Sequence, residues 1–288
     1  MQFGREIIPL VVNIYLAKPN SSFTNRQIQK ILFKLKQELP ENEHLQRVLP
    51  YYWYTYGPFS ETVANSITQM TRAERIRQVD ADGVKLLELN RSKVAPANEA
   101  LEPEIRDTLE TILATHNVVS PQPLIDEVYT KYAPRKFLPL YTIEFLRALQ
   151  QHVRTKKIEK ILSLEDVLYE CEAALPLEPF FERFNEQFSL FASYTSLLFD
   201  HARDTDSSNV SFSYTKLVAE NLWRRFAKGV RILPDGHDEF YENKLASWLV
   251  RFKRENSEKL IPKIDEYSFH VVKSTAAEPY SRPALLVT

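Results

Sequence analysis

The run Tyr51-Tyr52-Trp53-Tyr54-Thr55-Tyr56 carries five aromatic rings in six positions and leads directly into Gly57-Pro58-Phe59-Ser60-Glu61. Rings at that density need cover, so the fold must supply an apolar bed for them. Tyr52, Tyr54 and Tyr56 alternate with Tyr51, Trp53 and Thr55, which suits a short extended segment with one buried face. Gly57 permits a sharp turn that residues with a Cβ resist, at positive φ or in close backbone packing. Pro58 fits the first turn of a helix, where its missing N–H costs little. Ser60 and Glu61 then bring a hydroxyl and a negative charge to the helix's positive end. Val63, Ile67 and Met70 recur at helical spacing, so the sequence predicts a helix over residues 58–70. The rings read as a buried plug that fixes the entry angle of this helix. A platform on which bases stack is the alternative.

Glycine is scarce, with five in 288 residues. Large sandwiches and phosphate-cradling α/β folds use more, so a mainly α chain is expected. The formal net charge is −1. No global field therefore draws the chain to nucleic acid or membrane, and any such contact needs a local patch. One cysteine, Cys171, rules out an intramolecular disulfide and a cysteine zinc site within the chain. The apolar run at residues 7–12 is too short to span a bilayer and no small-residue cleavage site follows it, so a cytoplasmic protein is expected.

Residues 5–17 show helical periodicity, with Pro9 expected in the first turn. Thr24 and Gln27 have capping-box spacing. Ile28, Ile31, Leu32, Leu35 and Leu39 give the next helix an apolar stripe, with Arg26, Lys30, Lys34 and Lys36 expected on its outer face. Pro40 ends it and a polar linker leads to the rings. Residues 76–79 and 84–89 flank Asp80-Ala81-Asp82-Gly83, a hairpin signal. Three helices and a hairpin describe a winged-helix-like domain over residues 1–95. Arg72, Arg75, Arg77 and Arg91 gather where its wing would sit, as a solvated face or as phosphate contacts.

A helical extension is expected over 96–160, with stripes at Ile105, Leu109, Ile112 and Leu113 and at Tyr141, Phe145, Leu146 and Leu149. A C-terminal helical domain follows over 161–288. Its first part, 161–206, has ten acidic side chains against two arginines. Phe181, Phe184, Phe188, Phe191 and Leu198 form a heptad-like seam, either core or a partner groove. Residues 204–208 read as a flexible loop. Arg224, Arg225, Lys228 and Arg231, interleaved with Trp223 and Phe226, could bind nucleic-acid backbone, pair with the acidic segment, or be solvated surface. The tail after residue 274 lacks periodicity, and Leu285, Leu286 and Val287 are candidates for docking.

No phosphate loop, GxSxG elbow or HExxH is present. The six histidines show no metal-ligand spacing, and the His–carboxylate groups at His201 and His237 read as solvated loops. No catalytic residue, metal or cofactor is expected.

Two stretches together resemble a known family. Ile28-Gln29-Lys30-Ile31-Leu32-Phe33 followed by Tyr54-Thr55-Tyr56-Gly57-Pro58-Phe59-Ser60-Glu61 is similar to the Panacea family of SocA-like and YwgA-like antitoxin-type domains. That family has an LQKLLY-type helix and an aromatic KYGP turn that opens a helix, with a small strand pair after it. Leu124-Ile125-Asp126-Glu127-Val128-Tyr129 with Tyr132 and Pro134 resembles a segment of some longer members, so the likeness covers about residues 5–135. Thr55 departs from the family's lysine, and the chain after residue 160 has no counterpart in short members. The resemblance implies a non-enzymatic, protein-binding subunit of a prokaryotic defence or toxin–antitoxin complex, with Tyr54, Tyr56, Gly57, Pro58 and Phe59 as its motif. Protein partners are expected, and contact with double-stranded DNA is a further expectation. The alternatives are a winged-helix DNA-binding regulator and an accessory subunit of an SMC-like ATPase.

Overall fold

The computed structural model describes residues 2–18, 20–94, 101–116, 121–155, 161–204 and 210–276. The chain is mainly α, with small antiparallel hairpins. Its contacts divide it into two compact units, Met1–Pro134 with Val230–Leu245, and Arg135–Gly229 with Ala246–Thr288. The pattern of the sequence places divisions near residues 95 and 160 instead. Most of the loop at 204–208 and the tail from residue 277 lie outside the described residues.

The first unit begins with α1 (Gln2–Ala17), which starts earlier than expected. Pro9 is therefore interior rather than in the first turn. The helix tolerates it because Ile7, Leu10, Val11, Ile14 and Tyr15 are buried around it, and tertiary packing outweighs one lost backbone bond. In α2 (Asn25–Glu38) the predicted capping box is formed by Thr24 and Gln27. The polar linker contains a short helix, α3 (Glu43–Val48), capped by Asn42 and seated on Leu45 and Val48.

The aromatic run is a hairpin. Strand β1 (Tyr52–Tyr54) pairs antiparallel with β2 (Gly57–Phe59), placing Trp53 opposite Pro58. Pro58 thus sits in a strand, which corrects the helix predicted from it. Ser60 is the N-cap, its hydroxyl accepting from the Val63 N–H, and α4 (Glu61–Arg72) starts after it. β1 is buried on both faces, because Tyr51, Tyr52 and Trp53 are all under cover. A returning segment explains this. The Trp53 N–H donates to the Gly236 carbonyl at 2.7 Å and the Asp238 N–H to the Tyr51 carbonyl at 2.8 Å. Tyr241 packs edge-on against Tyr52 at 4.8 Å.

The second hairpin, β3 (Ile76–Ala81) and β4 (Val84–Leu89), closes through Asp82 and Gly83, both at positive φ. That is the geometry of a two-residue primed turn. Only Ile76 and Leu87 are buried, and backbone bonds between Phe23 and Leu87 tie the hairpin down. Helices α5 (Pro103–Thr115) and α6 (Gln122–Tyr132) pack against α2.

The second unit is built on rings. A helical stretch runs through α7 (Phe137–Pro139), a π-helical segment (Leu140–Leu146) and α8 (Arg147–Thr155). It is followed by α9 (Ile161–Ala173), α10 (Glu182–Asp204), α11 (Ser213–Val230), α12 (Leu245–Glu255) and α13 (Ile261–Ala276). The phenylalanine seam of α10 is core, since Phe181, Phe184, Phe188 and Phe191 are fully buried. Phe137 lies 4.0 Å from Phe226, centroid to centroid. The Tyr267 hydroxyl is satisfied by Thr195 and Thr215.

Candidate functional site

Helix α2 carries the main surprise. Lys30, Lys34 and Lys36 are 2%, 8% and 4% exposed, so the outer face expected for them is an inner one. Each amine is met by a group distant in sequence. Lys36 donates to the Asp238 carboxylate at 2.6 Å and to the Leu49 carbonyl at 3.0 Å. Asp238 also accepts from the Tyr51 N–H, which spends the carboxylate beside His237 on structure. Lys34 meets both oxygens of Glu127 at 2.8 Å, and His116 Nε2 lies 3.0 Å from the same carboxylate. Burial alone would raise the Glu127 pKa, but bonds from Lys131 and Lys34 prevail and hold it at about 2. Burial, with Lys34 adding to it, lowers the His116 pKa.

Lys30 forms no ion pair among the described residues. Its Nζ donates to the Pro58 carbonyl at 2.9 Å. Burial, reinforced by the positive charge of Arg26, holds its pKa well below the usual lysine range. Desolvation penalises the ammonium form, and the one carbonyl bond does not offset it. Next to it in sequence, the Gln29 side-chain amide donates to the Ser60 carbonyl at 3.0 Å and accepts from the Ser60 N–H at 2.9 Å. The Gln29-Lys30 pair therefore clamps the Gly57–Ser60 backbone.

Gly57 has φ +86°, and a Cβ there would lie 2.9 Å from Lys30 Nζ and 3.2 Å from the Tyr129 ring. Trp53 meets that tyrosine edge-on at 5.4 Å. The turn leaves Tyr56 53% exposed, with the Arg26 guanidinium 4.1 Å from its ring centroid. An open pocket of about 240 Å3 lies between α2 and the hairpin, bordered by Arg26, Lys30, Tyr54, Tyr56, Gly57 and Phe59.

The predicted basic residues separate into two kinds. Arg72, Arg75, Arg77, Arg91 and Arg224 are exposed. Arg225, Lys228 and Arg231 are not free nucleic-acid ligands. Glu255, 4% exposed, accepts from Arg225, from Lys228 at 2.7 Å and from Arg251 at 3.1 Å. Arg231 is 7% exposed and its guanidinium lies 5.4 Å from the Tyr54 centroid. The partner carboxylate comes from α12, not from the acidic segment before α11. Cys171 is buried, and burial pushes its thiol pKa up. Among the described residues there is no His/Cys/Asp/Glu group suited to a metal, and no helix is long and apolar enough to cross a membrane.

Sequence reasoning missed the buried lysines and the His116–Glu127 cluster. A signal was present. The polar residues of α2 are almost all cationic or amide, with Glu38 as its one acid, whereas a solvated helix face more often mixes signs at i,i+4.

No family model, curated protein or solved structure matches the chain.

Proposed function

We propose that this chain is a Panacea-like, non-catalytic interaction subunit of a prokaryotic defence or toxin–antitoxin-type complex, working in the cytoplasm. One observation supports the reading above all. The two stretches that carry the resemblance are bonded to one another, Gln29 to both backbone groups of Ser60 and Lys30 to the carbonyl of Pro58. The helix and the turn thus act as one unit, and it presents Tyr56 and Arg26 outward. An aromatic ring and a guanidinium at a fixed angle are residue types that dominate protein interfaces. The test is co-expression with the products of adjacent genes, followed by purification on the chain. A stoichiometric partner is expected, and Tyr56→Ala should weaken its binding by about tenfold or more. Failure of every neighbouring product to co-purify would overturn the proposal.

A DNA-binding reading is favoured by the exposure of Arg72, Arg75, Arg77 and Arg91 around the β3–β4 hairpin. Under it, Arg72→Ala, Arg75→Ala and Arg77→Ala together should flatten the salt dependence of duplex binding by roughly one unit per lost phosphate contact. No binding to duplex DNA at low salt would end this reading.

A further inference from the structure

The pocket between α2 and the aromatic hairpin combines aromatic side chains with two cationic residue types. Tyr54, Tyr56 and Phe59 are aromatic groups on its border, and among the described residues no carboxylate borders it. Arg26 is exposed, while Lys30, one helical turn further along α2, is 2% exposed. The lysine amine has a single hydrogen-bond partner among the described residues, the Pro58 carbonyl. Burial shifts its equilibrium towards the free amine, and its bond to Pro58 uses an N–H rather than the nitrogen lone pair. An ordinary surface lysine is the free base for roughly one molecule in a thousand at neutral pH. A desolvated lysine in an apolar setting is the arrangement that makes an amine nucleophilic towards carbonyls. A cation one turn away on the same helix adds a docking point for a carboxylate.

We propose that this pocket binds a small 2-oxo acid, its carboxylate paired with Arg26 and its carbonyl carbon joined to Lys30 Nζ as an imine. The nitrogen lone pair attacks the carbonyl carbon, the C=O π electrons move to oxygen, and the proton that the nitrogen sheds goes to that oxygen. The resulting carbinolamine loses water as its C–O bond breaks, C=N forms, and the last nitrogen proton leaves with the hydroxyl. Amine and ketone give imine and water, and no oxidant or reductant takes part. The aromatic side chains suit a 2-oxo acid with an apolar side group, such as phenylpyruvate. Occupancy would alter the Lys30–Pro58 contact and so reach the turn that presents Tyr56.

The test is reductive trapping of the full chain with phenylpyruvate and cyanoborohydride at neutral pH, read by peptide mass spectrometry. One reduced adduct is expected, on the peptide containing Lys30, and none there in Lys30→Met. Arg26→Gln, a change at an exposed position, should cut labelling by about tenfold, as should a phenyl ketone without the carboxylate. Label spread over exposed lysines such as Lys131, with none at Lys30, would overturn the proposal. Lys30 labelling that is indifferent to Arg26→Gln would refute the 2-oxo acid as the ligand class. Neither result depends on finding a protein partner, so failure here is separable from failure of the interaction reading.

Discussion

Gly57→Ala tests whether the hairpin turn and the buried amine are one device. The backbone there has φ +86°, and a Cβ in left-handed backbone costs roughly 1–2 kcal/mol. The same Cβ would come within 2.9 Å of Lys30 Nζ. The amine must then move and loosen its bond to Pro58, which costs about 1–2 kcal/mol more for a buried donor. The total is about 3 kcal/mol. For a unit of this size that lowers the melting temperature by roughly 6–12 °C. Gly83→Ala supplies the control, because Gly83 has φ +77° but nothing within 4 Å of its Cβ position. It should show only the backbone part. The chain has three tryptophans, and replacing Trp223 and Trp248 by Phe leaves Trp53 to report on the first unit alone. Denaturant titration of its fluorescence gives the free energies. The excess cost at Gly57 should shrink in a Lys30→Met background, since the amine would no longer be there to displace. If Gly57→Ala costs no more than Gly83→Ala, the coupling of turn to lysine is wrong.

Three further outcomes are expected. Lys30 has a folded-state pKa below its unfolded one, so the unfolded chain binds more protons; stability should rise with pH up to the unfolded value near 10.5, and this slope should be missing in Lys30→Met when followed by denaturation at graded pH. Glu127 and Glu255 are both held at about 2, so the stability they contribute is present above the ordinary carboxylate range and is lost as pH falls from about 4.5 towards 2; Glu127→Gln should flatten that acid limb for the first unit. Glu255→Ala leaves Arg225 and Lys228 without their shared carboxylate and should cost the second unit about 3 kcal/mol, measured through Trp223 and Trp248, while an unchanged midpoint would show that the cluster is solvated.

Much of the fold was legible because it rests on local chemistry. The Thr24–Gln27 box, the Asp82-Gly83 turn, the apolar stripes of α2 and α5 and the ring seam of α10 are fixed by residues a few positions apart. The buried lysines were not legible for the opposite reason. Periodicity finds the strongest apolar face of a helix, but α2 is covered on more than one side, by partners 28, 93 and 202 positions away for Lys30, Lys34 and Lys36. Pro58 misled in the same way. Its chemistry suits a helix start, but pairing with Trp53 takes the backbone into a strand first. The basic cluster at 224–231 looked available because Glu255, its main partner, lies on α12 beyond the following loop.

The segment 230–245 has a consequence for the order in which the chain can fold. Residues 1–134 are made first, yet Lys36 must be buried against Asp238, and the Trp53 N–H must find Gly236. A nascent chain that stops at residue 134 leaves Lys36 with the Leu49 carbonyl alone and uncovers the Tyr51–Trp53 backbone edge that residues 236–238 pair with. Synthesis usually lets an N-terminal domain close before the next one emerges. Here the first unit must wait until more than a hundred residues have passed, so an amino-terminal fragment expressed alone should stay unfolded, and adding residues 230–245 as a separate peptide should rescue it.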